Sequence, residues 1–468
     1  MGRQRFNNFM LFHTWPFFIF FLIVYGVFLL IRNTRFRGPW LFLASYVFYG
    51  WWNPLYLLLI AYSTTLDFYV VSRMAKSSRQ KMWLFISVFN NLFLLGFFKY
   101  GQFVTDNLNA LLETVGAEFA FSTPDITLPV GISFFVFQSM SYTIDYYRGR
   151  IDRELSWLRY ATFVSFFPQL VAGPIERANH LLPQLASQPR VTQKHVSDGF
   201  SLFVVGLFKK AVMADYLALY VDQAYASPEE TQASALLLAT FSFAWQIYFD
   251  FSGYTDMARG MARMMGYDLM LNFKNPYLAQ DLGDFWSRWH ISLSTWFRDY
   301  VYIPLGGNRK GTFAMYGNIF LTMVISGLWH GAAWTFIIWG VLHALGRMAT
   351  RELEQSEVYR EYVPKFIKQL MVFSFVSFTW IFFRAADVGE ACIIVILIFS
   401  TSWISDPAYP WVALFMIASI WIYQFLYESK AKKVLEFAPV KMALVMIMLL
   451  FVVLFSSANE NAFIYFQF

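Results

Sequence analysis

The sequence predicts an all-α integral membrane protein, and three observations carry that prediction. Of the 468 residues, 58% are hydrophobic and 14% charged, against about a quarter charged in a soluble domain. Apolar runs of roughly 20 residues, the length that crosses a bilayer, recur along the chain. Lys and Arg gather in the short loops between those runs, as the positive-inside rule expects. Aromatic residues reach 21%, which suits wide apolar surfaces and interfacial belts.

Runs at 10–32, 82–100, 128–147, 198–220, 233–252, 362–384, 411–427 and 439–457 are the long candidate spans. Shorter pieces at 38–52 and 53–72 flank Trp52-Asn53-Pro54, and others at 312–329 and 332–347 flank His330-Gly331. The first run has no small-residue cleavage site after it and reads as a retained span. Arg73, Lys76, Arg79 and Lys81 place their loop in the cytoplasm, as do Arg148, Arg150 and Arg153, and later Lys430, Lys432 and Lys433. Between Lys99 and Arg148 there are Asp106, Glu113, Glu118 and Asp125 but no Lys or Arg, so that segment is expected outside. Segment 222–232 reads the same way.

Two apolar segments are not expected to cross. Segment 157–175 has basic loops on both sides and contains Pro168, Gly173 and Pro174, so a re-entrant piece fits better than a span. Segment 389–404 lies between regions without Lys or Arg and is expected along the outer surface. No repeat, low-complexity tract or soluble domain interrupts the pattern, which predicts one membrane domain over 1–468 with a polar core at about 245–347. The net charge of +6 belongs to the loops and does not indicate nucleic acid. The single Cys392 excludes an internal disulfide or a Cys-rich metal site and is expected as inert packing; no bound metal is predicted.

Polar chemistry enters the apolar sequence at 245–347. Asp250 and Asp256 sit on an apolar segment and must face protein or water. Six residues apart, they do not share a helical face; they are expected to bind nearby Arg or backbone groups. The stretch from Asn272 through Arg288-Trp289-His290 and Trp296-Phe297-Arg298-Asp299 to Gly307 is too polar for lipid and too aromatic for a solvated loop. Broken backbone at membrane depth survives only inside protein or along a water-filled cavity. Residues 270–310 therefore read as short helices dipping in from the cytoplasm to line a funnel. Arg288, Arg298 and Arg309 would make its mouth cationic, suiting a phosphate-bearing donor; plain positive-inside anchoring is the alternative.

His330 lies in Leu328-Trp329-His330-Gly331, between apolar half-segments whose outer flanks, Arg309-Lys310 and Arg347-Arg351, both read as cytoplasmic. The chain must turn near it. A His there is either a satisfied core residue or a general base acting on a hydroxyl. His343, in a regular apolar segment, reads as structural. No HExxH, P-loop, GxGxxG or GxSxG motif competes, and no Ser nucleophile is recognisable. A base without its own nucleophile suggests direct transfer from a donor to an incoming hydroxyl.

The block from Arg288-Trp289-His290 to Pro304-Leu305-Gly306-Gly307, followed by Leu328-Trp329-His330-Gly331, resembles the membrane-bound O-acyltransferase superfamily, in its bacterial alginate O-acetyltransferase branch. Ala44–Trp52, Leu128–Phe134, Gly173–Arg177 and the terminal Phe463-Ile464-Tyr465-Phe466 agree. The resemblance implies a ring of about 11–12 transmembrane helices, with re-entrant and short in-plane helices around a central acyl-transfer tunnel. It implies His330 as the catalytic His and His290 as the second family His. Arg288, Trp289, Trp296, Arg298, Asp299 and Trp329 would line or support the donor funnel. It implies an acyl group, acetyl being expected, taken from a cytoplasmic acyl-CoA or acyl-carrier thioester for O-acetylation of an exported polysaccharide such as alginate. A Ser-His-Asp extracytoplasmic acetyltransferase and a polysaccharide synthase or export complex would be partners, in the bacterial inner membrane.

Other acceptors fit the same machinery: cellulose, another exopolysaccharide, peptidoglycan, or teichoic acid in a D-alanyl transfer. A transporter or flippase of the donor or a lipid-linked sugar is a different class, but transporters often show internal repeats, and none is visible. A secretion scaffold would not need two His residues in aromatic blocks at membrane depth.

Overall fold

A computed structural model describes residues 10–123, 128–171, 173–400, 411–456 and 463–464. Among them every regular element is helical. Four described helices are long and apolar enough to cross a membrane: Gln80–Thr114, Thr312–His330, Lys365–Arg384 and Ala438–Phe455. Trp15–Ile31, Val388–Ser400 and Leu414–Tyr427 are shorter apolar helices. Ala438–Phe455 is apolar and buries only Val445, so nearly all of its surface is suited to lipid. The architecture is the expected all-α membrane fold. Tyr465 and Phe466 of the terminal motif, Asp125, and 401–404 of the segment expected along the outer surface fall outside the described residues.

The chain divides into two compact units, the first comprising residues 1–203 and 255–270. One of its early helices starts where the sequence provides a cap. Asn53 accepts from the Leu55 amide at 2.9 Å, and Pro54 opens the Pro54–Met74 helix. Polar residues on these apolar helices meet each other. Asp67 accepts from Ser87 at 2.6 Å and from Asn91 at 2.8 Å in the interior of the unit, as intramembrane polar groups must.

The segment expected to be re-entrant is broken. A helix over Trp157–Ser165 stops at Phe166, and a short turn, Phe167–Leu170, follows. Nine residues rise only about 14 Å, less than half the hydrocarbon thickness of about 30 Å. The Phe163 carbonyl released at the break accepts from the side-chain amides of Gln138 at 2.6 Å and Gln169 at 2.7 Å. Irregular backbone is tolerated at depth when it is satisfied in this way.

The second unit comprises 204–254 and 271–468. It contains the hairpin of Thr312–His330 and Trp334–Gln355. The two helices approach so closely that a Cβ on Gly327 would lie 2.2 Å from the Phe336 carbonyl oxygen. One on Gly340 would lie 2.5 Å from that of Met323. Close crossings on small residues are how membrane helices gain packing. Gly327→Val should therefore force the hairpin apart, lowering the melting temperature of detergent-solubilised protein and cutting activity with it. Wild-type melting would show that the crossing does not need the glycine.

Cys392 is exposed on Val388–Ser400, which buries Ala391, Ile394 and Ile398 instead. It lies off that face, so the expectation that it serves as packing is corrected.

Candidate functional site

The site is built in the second unit from broken helices. Asp281 caps Leu282–Arg288 by accepting from the Asp284 amide at 2.8 Å. The chain then breaks at Trp289-His290, and Ile291–Phe297 follows. His290 takes the left-handed conformation, with φ of 42°, which is uncommon for a residue with a Cβ and is held only where surroundings over-determine it. Here they do. The Lys274 amide donates to the Arg288 carbonyl at 2.9 Å, and the Ile291 amide to that of Asn272 at 3.0 Å. The Ser292 amide reaches Asn272 Oδ1 at 3.2 Å. Residues 272–274 thus pin the break from one side, and His290 is fully buried with its ring 4.6 Å from Phe251.

His330 is the last residue of Thr312–His330, and Gly331 is extended immediately after it. The chain turns there, as the basic flanks on both sides led the sequence reading to expect. His330 is buried in an aromatic cage: Trp329 at 5.0 Å, Trp339 at 5.1 Å and Phe383 at 5.3 Å between ring centroids. The Trp329 ring also stands 6.1 Å from His290, so both predicted histidines flank one indole. Trp289 packs between Phe273 at 5.1 Å and Trp380 at 5.2 Å. Trp296 is buried against Phe297 and Tyr300.

His343 is also buried, with Nε2 2.9 Å from the Thr379 hydroxyl and its ring 4.6 Å from Trp339.

A cleft of about 280 Å³ opens beside these elements. Leu293, Phe297, Ile319 and Met323 make its wall apolar, while Arg298, Arg347 and Arg351 supply three guanidinium groups. Thr322 and Ser326 also line it. They stand eight and four residues before His330 on the same helix, so the three share one face. The cleft wall therefore leads to Ser326, about 6 Å of helix rise before His330. A larger cleft of about 640 Å³ in the first unit, lined by Asn33, Gln184 and Arg190 among others, holds none of the predicted site residues.

The three predicted cations differ in setting. Arg298 is largely exposed at the cleft and donates to Asp299 at 2.9 Å. Arg288 is held by two carboxylates, Asp284 at 2.6 Å and Glu428 at 2.9 Å. Arg309 is exposed and does not line the cleft. The cations that the sequence reading missed are Arg347 and Arg351, which it used only as topology markers.

Asp250 finds a lysine rather than the expected arginine. Lys210 Nζ lies 2.7 Å from Asp250 and 2.9 Å from Asp215, and all three are buried. Asp250 also accepts from the Ile464 amide at 2.7 Å, the backbone partner that was expected. Lys210 lies in a π-helical turn, Lys209–Ala214, whose wider turn brings residues five apart, Lys210 and Asp215, onto one side. Asp256, in the first unit, stands 3.7 Å from Arg259.

A family model for MBOAT, the membrane-bound O-acyltransferase family, matches residues 148–389. The "Probable alginate O-acetylase AlgI" of Pseudomonas putida is 41% identical over 378 residues, covering 80% of this chain and 77% of that protein. The "Peptidoglycan O-acetyltransferase" of Helicobacter pylori is 36% identical over 82% of this chain and 78% of its own length. The "Teichoic acid D-alanyltransferase" of Bacillus subtilis is 29% identical over 46% of this chain and 57% of its own. A matching family model, relatives matched over about four fifths of both chains and the helical, apolar architecture of the described residues agree: this chain is a multi-pass membrane enzyme that transfers acyl groups, and it belongs to the membrane-bound O-acyltransferase family.

Proposed function

We propose that the chain, acting as one membrane domain over 1–468, takes an acetyl group from a thioester on the cytoplasmic side of the bacterial inner membrane. It passes that group to a hydroxyl on the outer side for O-acetylation of an exported polysaccharide such as alginate. The observation that carries this reading is the cleft itself, lined by three arginines, an apolar wall, and Thr322 and Ser326 of the helix that ends at His330. A thioester donor has the matching order: phosphates, a narrow uncharged arm, then the reacting carbonyl. Arg351 also borders a second, more polar cleft of about 570 Å³ with Asn308 and Gln355, which suits the phosphate-bearing end of the donor.

In the reaction, His330 takes the proton from the acceptor hydroxyl as its oxygen attacks the thioester carbonyl. The C–O bond forms, the C–S bond breaks, and the proton leaves with the thiolate. His290, fixed in its strained turn, orients the donor carbonyl across Trp329. Trp289 and Trp296 hold the broken helices together, and Arg288 ties them to Glu428. An extracytoplasmic Ser-His-Asp acetyltransferase and a polymer synthase or export complex complete the pathway. The Helicobacter pylori relative supports a second acceptor, peptidoglycan; the donor half of the reaction would be unchanged.

Arg298→Glu and Arg351→Glu test the donor cleft. Each replaces a charge-assisted hydrogen-bond donor with a repelling anion. Such a bond contributes about 1.5–3 kcal/mol, so KM for acetyl-CoA or an acetylated carrier protein should rise by roughly tenfold or more. Unchanged donor KM with impaired acceptor use would show that the cleft belongs to the acceptor.

A further inference from the structure

The first unit holds a cleft of about 640 Å³ that acyl transfer leaves unused. That volume is in the range of ligand sites, about 300–1,000 Å³, but the lining is polar, with Asn33, Gln184, Ser187, Gln188 and Arg190. Its walls are fastened to one another. On the first wall, the Thr34 hydroxyl donates to the Ile31 carbonyl at 2.8 Å and accepts from the Phe36 amide at 3.2 Å. These bonds fix the turn that follows the Trp15–Ile31 helix. Arg37 joins that turn to the second wall by donating to the Leu185 carbonyl at 3.0 Å. Gln184 joins the second wall to the third, accepting from the Asp268 amide at 2.8 Å and donating to the Asp268 carbonyl at 2.9 Å. On the third wall Gly266 has φ of 82°, and a Cβ there would lie 3.1 Å from the Arg190 carbonyl oxygen.

The charge around this cleft is of one sign. Arg32 and Arg35 stand on either side of Asn33 in the sequence, and Arg190 is in the lining. Among the described residues, none of these three arginines has a carboxylate partner. The nearby acids are taken: Asp268 pairs with Arg263, and Glu176 with His180 at 2.6 Å. The sequence has no Asp or Glu before Asp67 and none between Glu176 and Asp198. An apolar surface ends at the same place. Ile19, Leu22, Ile23 and Leu30 form an exposed stripe on Trp15–Ile31, opposite buried Phe17, Phe21, Val24 and Phe28. Leu30, at 83% exposure, is three residues before Asn33. A surface suited to acyl chains therefore runs up to a cleft suited to phosphate. Guanidinium groups match phosphate in geometry as well as charge, and basic pockets beside membrane helices take anionic headgroups. A choline or ethanolamine headgroup would bring an ammonium that meets arginines and no free carboxylate.

We propose that this cleft binds the headgroup of an anionic phospholipid whose acyl chains lie along the exposed stripe of Trp15–Ile31. The phosphate answers arginines that no carboxylate neutralises, and the chains cover the apolar residues beside them. The proposal depends neither on the acyl-transfer reading nor on which face of the membrane carries the site.

The test titrates detergent-purified full-length protein with phosphatidylglycerol, or with phosphatidylcholine of the same chains, and reads bound lipid by native mass spectrometry. Phosphatidylglycerol should be retained in preference to phosphatidylcholine. Arg35→Gln with Arg190→Gln should weaken that binding by about tenfold or more, and Arg190→Gln alone by about fivefold. Both side chains are exposed, so melting in phosphatidylcholine should not change. Arg190→Lys keeps the charge and should keep most of the binding. Lys430→Gln with Lys433→Gln, in a different basic loop, should change nothing. Equal retention of the two lipids, unchanged binding in the arginine pair, or an equal loss in the lysine pair would overturn the site. Glycerophosphoglycerol, which is the headgroup without chains, and a polyglutamate peptide should each fail to displace the lipid at matched concentration. Displacement by the first would assign the cleft to a soluble phosphate compound, and by the second to an acidic protein; either would overturn the lipid proposal.

Discussion

His330→Ala is expected to abolish acetylation of the exported polymer while leaving the protein at normal level in the membrane. A positioned general base contributes typically about a hundred- to ten-thousand-fold in rate, and the rings that cage it, Trp329, Trp339 and Phe383, offer no substitute base. His330→Gln should fail as well. It keeps volume and hydrogen bonding but accepts no proton at neutral pH. His290→Ala should be impaired less deeply, because the pinned backbone at 288–292 survives without the ring. His343→Ala should retain most activity and lose some stability, since it gives up the Thr379 hydrogen bond and the stack on Trp339. Polymer O-acetyl content with matched membrane levels checks all four; near-normal acetylation in His330→Gln would refute the base role.

Lys210→Ala is expected to cost the most stability of any single change away from the site. It leaves Asp215 and Asp250 buried without their cation. Breaking such a pair by removing one partner costs about 3–5 kcal/mol. Thermal unfolding in detergent should show the loss. The triple replacement Lys210→Met, Asp215→Asn, Asp250→Asn should recover much of it. No charge is then stranded, and the side-chain amide oxygen introduced at position 250 can still accept from the Ile464 amide. Wild-type melting of Lys210→Ala would mean that the carboxylates are satisfied otherwise.

Features set by local rules were legible in the sequence. The four helices long and apolar enough to cross fall on apolar runs of the sequence, and the break at 165–167 followed from Pro168 and the basic flanks. The turn at His330 followed from charge on both sides. The short, broken helices of 270–310 followed from a stretch too polar for lipid and too aromatic for water. Features that depend on distant pairing were not legible. Glu428 closes on Arg288 across 140 residues, and Thr379 reaches His343 across 36. Neither partner carries a local signal. Lys210 could have been found, because a lysine inside an apolar run demands a counter-charge, and Asp250 was already without one. Thr322, Ser326 and His330 were also visible as a polar stripe on an apolar helix. Arg347 and Arg351 were read as anchors because periodicity cannot tell a cleft-lining cation from a loop-facing one.

The central claim is that this chain moves an acyl group from a thioester on one side of the membrane to a hydroxyl on the other through His330. It is tested most directly in proteoliposomes of defined orientation. Labelled acetyl-CoA or acetylated carrier protein is supplied at the cytoplasmic face, and an oligosaccharide acceptor with a soluble Ser-His-Asp acetyltransferase at the other. Wild-type protein should deliver label to the acceptor, and His330→Gln should deliver none above protein-free vesicles. Equal delivery by His330→Gln, or wild-type label that never leaves the donor face, would contradict it.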